Sequence, residues 1–132
     1  MSENVASILA TKARQDFNSA VVLSREDPDE VGEHNVGHKL QQSIELASKS
    51  LILSFKRSYE HTHDLRRLFV TISRKIQVPA EFHELEALTP YAGEERYESP
   101  ISRGNMDWPY FIDLARNFLV WAAEQRDILK RD

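Results

Sequence analysis

Hydrophobic residues along this chain recur at steps of three and four, which is the spacing of amphipathic helices. The first stripe predicts a helix that ends near Arg25, where the sequence Glu-Asp-Pro-Asp interrupts the pattern. The second stripe is the clearest of the chain and predicts a long second helix. The first stripe consists of Val5, Ile8, Leu9, Ala13, Phe17, Ala20 and Val21, and the second consists of Val36, Leu40, Ile44, Ala47, Leu51 and Phe55.

The second helix also carries glycines and small polar residues that affect its ends and its packing. Gly32 and Gly37 indicate that its first turn is loose, or that it begins after residue 32. Ser43, Ala47 and Ser50 are small, so we expect a neighbouring helix to approach closely on that side.

The second half of the chain predicts two further amphipathic helices and one short one. Thr62 is the predicted N-cap of a third helix, with Asp64 in its first turn and Pro79 closing the segment. Residues 89–104 have no hydrophobic period and form the one substantial predicted loop, before a last helix over residues 107–130. The stripes are Leu65, Leu68, Phe69, Ile72 and Ile76 for the third helix, Phe82, Leu85 and Leu88 for the short one, and Trp108, Phe111, Leu114, Ala115, Phe118, Ala122 and Leu129 for the last.

These elements predict an all-α fold, an up-and-down four-helix bundle with a short additional helix, in a single domain over residues 1–132. The content of 41% hydrophobic and 29% charged residues is ordinary for a globular protein. The chain has no cysteine, which excludes disulfides, thiolate metal sites and cysteine nucleophiles. It has neither a membrane-spanning apolar run nor a secretory signal pattern, so we expect a cytoplasmic location and no membrane partner.

Positive charge is concentrated in one segment of an otherwise acidic chain. Residues 49–75 hold seven basic and two acidic residues, whereas the net charge of the whole chain is −4. Duplex DNA is not an expected partner, because its binding domains are usually basic throughout. The basic segment is either a solvated helix face or a surface for a phosphate-bearing ligand or an acidic partner.

Three motifs, in order along the chain, resemble those of the HEPN family. Residues 41–51, Gln-Gln-Ser-Ile-Glu-Leu-Ala-Ser-Lys-Ser-Leu, resemble the family's Q-Q-x-x-E-x-x-x-K-x-L helix. Residues 62–65, Thr-His-Asp-Leu, resemble its T-H-D-L turn before the third helix. Residues 88–97, from Leu88 through Tyr91 to Arg96 and Tyr97, resemble its L-x-x-Y-x-x-x-x-R-Y loop. The resemblance covers roughly residues 5–130.

The resemblance implies a bundle similar to the helical C-terminal domain of kanamycin nucleotidyltransferase. It also implies binding of a nucleotide, or of a minimal nucleotidyltransferase in a toxin–antitoxin type pair, and a homodimer. Ribonuclease members of the family carry an Arg followed after four to six residues by a His near the last helix. Here the last histidine is His83, so the motif is absent from its usual place and we expect a binding protein and not an enzyme.

The resemblance singles out six candidate residues for a nucleotide site. Lys49 and Arg96 are expected to contact phosphate, Tyr91 and Tyr97 to stack on a base, and Glu45 and His63 to orient them. A purely structural interpretation stays open for each of these residues. Glu45 and Lys49 suit an ordinary helical ion pair, Arg96 can pair with a neighbouring glutamate, and His63 can simply fix its turn.

Other candidate chemistry is weaker. His34 and His38 have the i, i+4 spacing of a metal-binding pair, but an exposed surface pair is the favoured interpretation, and no metal site is predicted. Phosphate-binding glycine loops, nucleophile elbows and zinc helices are absent from the sequence, and no cofactor is expected. Two alternative functions stay open: an RNA-cleaving toxin that uses Arg57 with His61 or His63, and a structural dimerisation module.

Overall fold

The computed structural model describes residues 2–26, 30–93 and 106–131. Within these ranges the chain forms α1 (Ser2–Ser24), α2 (Glu30–Ile52), α3 (Leu65–Ser73), a 3-10 helix (Ala80–Tyr91) and α4 (Trp108–Arg131), and it contains no strand. The predicted all-α bundle is confirmed. α3 has only nine residues, so the bundle is built from three long helices and one short one.

Helix α2 is the central element, because it packs against all the other helices. Its predicted stripe is buried from Val36 to Leu51, whereas Phe55, the last predicted member, is half-buried and lies beyond the end of the helix at Ile52. The prediction of a loose first turn or a start after residue 32 was wrong, since the helix begins at Glu30 and runs through Gly37. Gly37 serves close packing instead, because a Cβ there would overlap the ring of Tyr91.

Helices α1 and α2 pack antiparallel along a seam of small side chains. Ala6, Ala13 and Ala20 are buried at intervals of seven residues on α1. Ser43 Oγ donates to the carbonyl of Ala13 at 2.8 Å, and Ser50 Oγ donates to the carbonyl of Ala6 at 2.7 Å. The close approach that the small residues of α2 predict is therefore confirmed.

The seam also corrects the predicted stripe of α1. Val5 and Ile8, which we assigned to the buried face, are 44% and 56% exposed. The helix turns its alanines toward α2 because a close approach of two backbones needs side chains no larger than Ala or Ser. The larger residues are displaced toward the outside of the pair.

Helix α3 begins two residues later than its sequence suggests. Its N-cap is Asp64, whose carboxylate accepts a hydrogen bond from the backbone N–H of Arg66 at 3.0 Å. The prediction of Thr62 as the cap was wrong. Thr62 Oγ1 instead accepts from the backbone N–H of Asp64 at 3.1 Å, so it shapes the turn that precedes the helix.

The short predicted helix is a 3-10 helix of twelve residues, an unusual length for this conformation. Its buried residues Phe82, Leu85, Leu88 and Tyr91 recur at every third position. A helix with three residues per turn places all four on one edge, which faces the core. The first three residues of the predicted loop, Thr89, Pro90 and Tyr91, belong to this helix.

Helix α4 runs parallel to α2 and antiparallel to α1. Trp108 Nε1 at its start donates to Glu33 near the start of α2 at 3.4 Å, whereas the guanidinium of Arg116 lies 5.3 Å from the ring centroid of Phe17 on α1. Phe118 is fully buried at the centre of an aromatic cluster, with ring centroids of Phe69, Phe82 and Trp121 at 5.4, 5.3 and 5.7 Å. Among the described residues, none of the helices is both long and apolar enough to span a membrane.

Candidate functional site

The turn between α2 and α3, residues 53–64, folds back onto the middle of α2. It meets Gln41, Glu45 and Lys49, which lie one helical turn apart on one side of α2. All three are buried, with exposed fractions of 1%, 6% and 7%. We call these three residues together with His63 the Glu45 network.

Glu45 is the acceptor at the centre of this network. Lys49 Nζ donates to its Oε2 at 2.8 Å. Its Oε1 accepts from Gln41 Nε2 at 3.0 Å and from His63 Nδ1 at 2.9 Å. A buried carboxylate is stable only when its oxygens are paired in this way.

The pKa of Glu45 reflects two opposing effects. Burial raises the pKa of the carboxyl, because it disfavours the charged form. The hydrogen bonds from Lys49, Gln41 and His63, together with the charge of Lys49, more than offset burial, and the pKa lies below its ordinary value. Glu45 is therefore a carboxylate at neutral pH, and it accepts a hydrogen bond from His63.

His63 is the exposed end of the network. Its side chain is 72% exposed, while the Glu45 side chain that it contacts is 8% exposed. Gln41 Nε2 also donates to the backbone carbonyl of His63 at 3.1 Å. Both the backbone and the imidazole of His63 are thus fixed by α2.

Lys49 is satisfied within the protein. Its ammonium group bonds to Glu45 and lies 5.0 Å from the ring centroid of Tyr59. The side chain is only 8% exposed. Its predicted contact with a phosphate stays a prediction, and such a contact requires Tyr59 or the turn to move aside.

Tyr91 belongs to a different part of the bundle. Its ring packs on Gly37 and lies 5.6 Å from the ring of Trp108, with the residue 3% exposed. Its carbonyl accepts a hydrogen bond from His38 Nδ1 at 3.0 Å. Gly37 is two turns of α2 before Glu45, so the structure does not bring Tyr91 into the Glu45 network. The predicted stacking of its ring on a base stays untested.

Arg96 and Tyr97 lie outside the described residues. The third motif is nevertheless connected to the second through Thr89, whose Oγ1 accepts from the backbone N–H of Leu65 at 3.2 Å. The end of the 3-10 helix is therefore attached to the start of α3. The parts of the three motifs that the structure describes lie against one another around α2.

The favoured interpretation of His34 and His38 as an exposed surface pair was wrong. His34 is 3% exposed, and its ring lies 6.0 Å from that of Tyr91. His38 is half-buried and anchors the end of the 3-10 helix. In the part of the chain that the structure describes, no group of three His, Asp or Glu residues is placed to hold a metal ion.

Sequence reasoning missed the part that Gln41 and Tyr59 play in the site. Gln41 lies one turn before Glu45 but was not among the six candidate residues, yet it joins Glu45 to the turn through two hydrogen bonds. Its signal was the step of four that it shares with Glu45 and Lys49. Tyr59 carries no local signal, because its contact with Lys49 depends on the path of the turn.

The structure also places Arg57, Tyr59 and His61 around one surface depression beside α1. Arg57 and His61 are exposed, and the ring of His61 lies 5.4 Å from that of Tyr59. His63 points instead to Glu45.

Comparison with known proteins gives one match. A family model described as "HEPN domain" matches residues 6–126. No curated protein and no solved structure gives a significant match to the chain.

Proposed function

The chain belongs to the HEPN family, and from this premise we propose that it is a binding protein for a nucleotide or for a minimal nucleotidyltransferase that handles one. In the second case the two proteins form a pair of the toxin–antitoxin type. The protein contributes a preformed, positively charged surface and no catalytic group of its own.

The observation that carries this proposal is the exposure of the basic segment. Apart from the buried Lys49, its six basic side chains are all exposed, on the turn after α2 and along α3. Arg67 pairs with Glu60 at 2.6 Å, but Arg57, Arg66 and Arg74 form no ion pair with any described residue. A surface of uncompensated guanidinium groups on a chain of net charge −4 suits a phosphate or an acidic partner surface.

The Glu45 network supports the same proposal by fixing this surface. The turn that carries Arg57 and leads into α3 is bonded to α2 through Gln41, Glu45 and His63. A ligand then meets side chains whose backbone is already ordered, so less conformational entropy is lost on binding.

Thermal unfolding with a panel of nucleotides, with and without Mg²⁺, tests the proposal. A nucleotide at a hundred times its dissociation constant adds about 2.7 kcal/mol of stability, which corresponds to a rise of roughly 10 °C for a domain of this size. Adenosine, which carries no phosphate, is the matched control and is expected to give no rise. If no nucleotide of the panel raises the unfolding temperature, the nucleotide part of the proposal is contradicted and a protein partner remains.

A second candidate, an RNA-cleaving toxin, is favoured by one observation only. Arg57 and His61 line the same depression, which is the minimum that an Arg–His ribonuclease site requires. Incubation of total RNA with the pure protein in EDTA decides between the two. Cleavage that disappears in His61→Ala would replace the binding proposal by the ribonuclease one, and intact RNA would remove the ribonuclease from consideration.

The proposal includes a homodimer, which is supported by exposed apolar side chains on the outer helices α1 and α4. Val5 and Ile8 on α1 and Val120 and Ile128 on α4 are each more than 40% exposed. The mass in solution, from light scattering at several concentrations, tests this. A dimer that dissociates in Ile8→Asp supports the α1 face, and a monomeric mass for the unchanged protein contradicts the dimer.

A further inference from the structure

The depression beside α1 has an apolar side and a cationic side. Val5 on α1 and Leu53 after α2 line it together with Arg57, Tyr59 and His61. Val5 is an apolar residue, yet 44% of it is exposed to solvent. Exposed apolar surface next to unpaired positive charge is typical of a site for a ligand with an apolar body and an anionic group.

The cationic side is formed by Arg57. Two other exposed arginines have acidic partners: Arg67 bonds to Glu60 and Arg116 bonds to Asp113, each at 2.6 Å. Arg57 has no such partner among the described residues, so its five N–H donors remain available to a planar or tetrahedral anion. The exposed imidazole of His61 adds a further N–H donor at the same depression.

The aromatic side is formed by Tyr59. Its ring interacts with the ammonium group of Lys49, 5.0 Å from the ring centroid, and with the ring of His61, 5.4 Å away at an interplanar angle of 59°. With these two contacts the residue is half-buried, so part of its surface stays exposed at the depression. A half-buried, fixed tyrosine of this kind is suited to pack against a flat heterocycle.

The turn that carries these residues is ordered by bonds on both sides of His61. The backbone N–H of Thr62 donates to the carbonyl of Glu60 at 2.9 Å, so a tight turn is centred on His61. The next residue, His63, is held by Gln41 and Glu45. The Glu45 network therefore positions the depression without touching its ligand.

We propose that this depression, the Arg57 site, binds a phosphorylated nucleoside, with the phosphate on Arg57 and His61 and the base against Tyr59, Val5 and Leu53. The inference rests on the proposed function for the class of ligand, and it moves the contact from the buried Lys49 to the exposed Arg57. A free nucleotide and the terminal phosphate of an RNA strand both present this chemistry.

Titration calorimetry of the full chain with AMP and with ATP tests the site, using Arg57→Ala, His61→Ala and Arg66→Ala. Arg66 is an exposed, unpaired arginine of the same basic segment, so Arg66→Ala removes the same charge outside the depression. We expect Arg57→Ala to weaken binding about tenfold or more, His61→Ala to weaken it less, and Arg66→Ala to leave it within about twofold. Adenosine and pyrophosphate, each presenting half of the ligand, are expected to bind more weakly than AMP and ATP respectively.

Unchanged affinity for AMP and ATP in Arg57→Ala would overturn the Arg57 site and leave the proposed function standing. Equal losses in Arg57→Ala and Arg66→Ala would also overturn it, since the interaction would then be general electrostatic attraction. A short RNA with and without its 5′-phosphate distinguishes the two sources. Binding that needs the 5′-phosphate and Arg57 supports the site with an RNA end as ligand, whereas no binding of any phosphate ligand would contradict both the site and the nucleotide arm of the proposed function.

Discussion

His63 Nδ1 donates a hydrogen bond of 2.9 Å to the buried Oε1 of Glu45, so an imidazole that is largely exposed is fixed from inside the bundle. The bond joins the turn before α3 to the middle of α2. Glu45 and His63 are 18 residues apart along the chain, so their two motifs are parts of one structure. Their shared role is to set the path of residues 53–64, which carry the cationic depression.

The pairing of Glu45 with Lys49 is expected to matter more than any surface ion pair of this protein. Lys49→Met leaves a buried carboxylate without its cation, and we expect a loss of about 3 kcal/mol in the free energy of unfolding. The double variant Glu45→Gln with Lys49→Met removes both charges and is expected to recover much of that loss. Urea unfolding of the four proteins forms a double-mutant cycle.

The matched control for that cycle is the pair of Glu60 with Arg67. Its side chains are 45% and 63% exposed, so Glu60→Gln is expected to cost less than about 1 kcal/mol. If Lys49→Met proves no more costly than Glu60→Gln, the Glu45 network is not a structural centre of the fold.

Stability is expected to fall in acid through Glu45. Its pKa is lowered in the folded state, so the unfolded chain binds more protons in the range between the folded and unfolded pKa values. The stabilisation is fully present above the unfolded pKa and is lost as the pH falls through the folded pKa. Urea unfolding from pH 7 to pH 3 measures this.

The comparison protein for this experiment is Glu45→Gln with Lys49→Met, which is expected to show a shallower acid dependence than the unchanged chain. Identical pH profiles for the two proteins would show that Glu45 does not contribute to acid sensitivity.

The effect of Gly37→Ala on the free energy of unfolding is expected to change sign when the Tyr91 ring is removed. Gly37→Ala in the unchanged protein introduces a Cβ that overlaps the Tyr91 ring, so it is destabilising in spite of the higher helix propensity of alanine. In a Tyr91→Ala background the overlap is absent, and the same substitution is expected to stabilise by up to about 1 kcal/mol. Thermal or urea unfolding of both pairs measures the sign, and a destabilising effect of equal size in both backgrounds would contradict the steric explanation.

The alanine seam predicts that the stability of the protein depends more on the small residues of α1 than on its large apolar ones. Ala13→Leu inserts three carbon atoms at a fully buried position against Ser43, and we expect a loss of about 1–3 kcal/mol or more. Ile8→Ala removes three carbon atoms from a side chain that is 56% exposed, and the expected loss is below about 1 kcal/mol. A larger effect of Ile8→Ala in the monomeric state would place the core of α1 on its other face.

Helix periodicity predicted the fold because burial in a bundle depends mainly on the period of apolar residues, and α2 and α4 follow that period. On α1 it placed Ala13 and Ala20 correctly in the core but was wrong for Val5 and Ile8, because the pattern ranks residues by size and hydrophobicity, whereas a close helix pair selects alanine and serine. The strict three-residue spacing of Phe82, Leu85 and Leu88 was interpreted only as a short helix, although it is the spacing of the 3-10 conformation that the structure shows. The N-cap of α3 was misplaced because Thr62 and Asp64 are both good capping residues, and the choice depends on the path of the preceding turn.

The site was predicted in part. The resemblance brought Glu45, Lys49 and His63 to attention, and the structure places Lys49 and His63 each in direct contact with Glu45. The contact of Lys49 with a phosphate stays a prediction, and nothing in the sequence indicated that the ammonium group is buried beside Tyr59. Contacts of this kind come from residues distant in sequence, and a periodic pattern carries no information about them.

The position of Glu45 and Lys49 one turn apart on the same helix also bears on the order in which the chain folds. The pair needs only α2 to form, and it adds about 0.3–0.5 kcal/mol to a helix that is still in water. Gln41 joins Glu45 within the same two turns. Within α2 alone, Glu45 therefore has its cation and one further donor. When residues 53–64 then pack onto α2, they exclude water from a carboxylate whose charge is already neutralised. If Glu45 had its cationic partner on a distant segment instead, this packing step would include the full free-energy cost of burying an unpaired carboxylate.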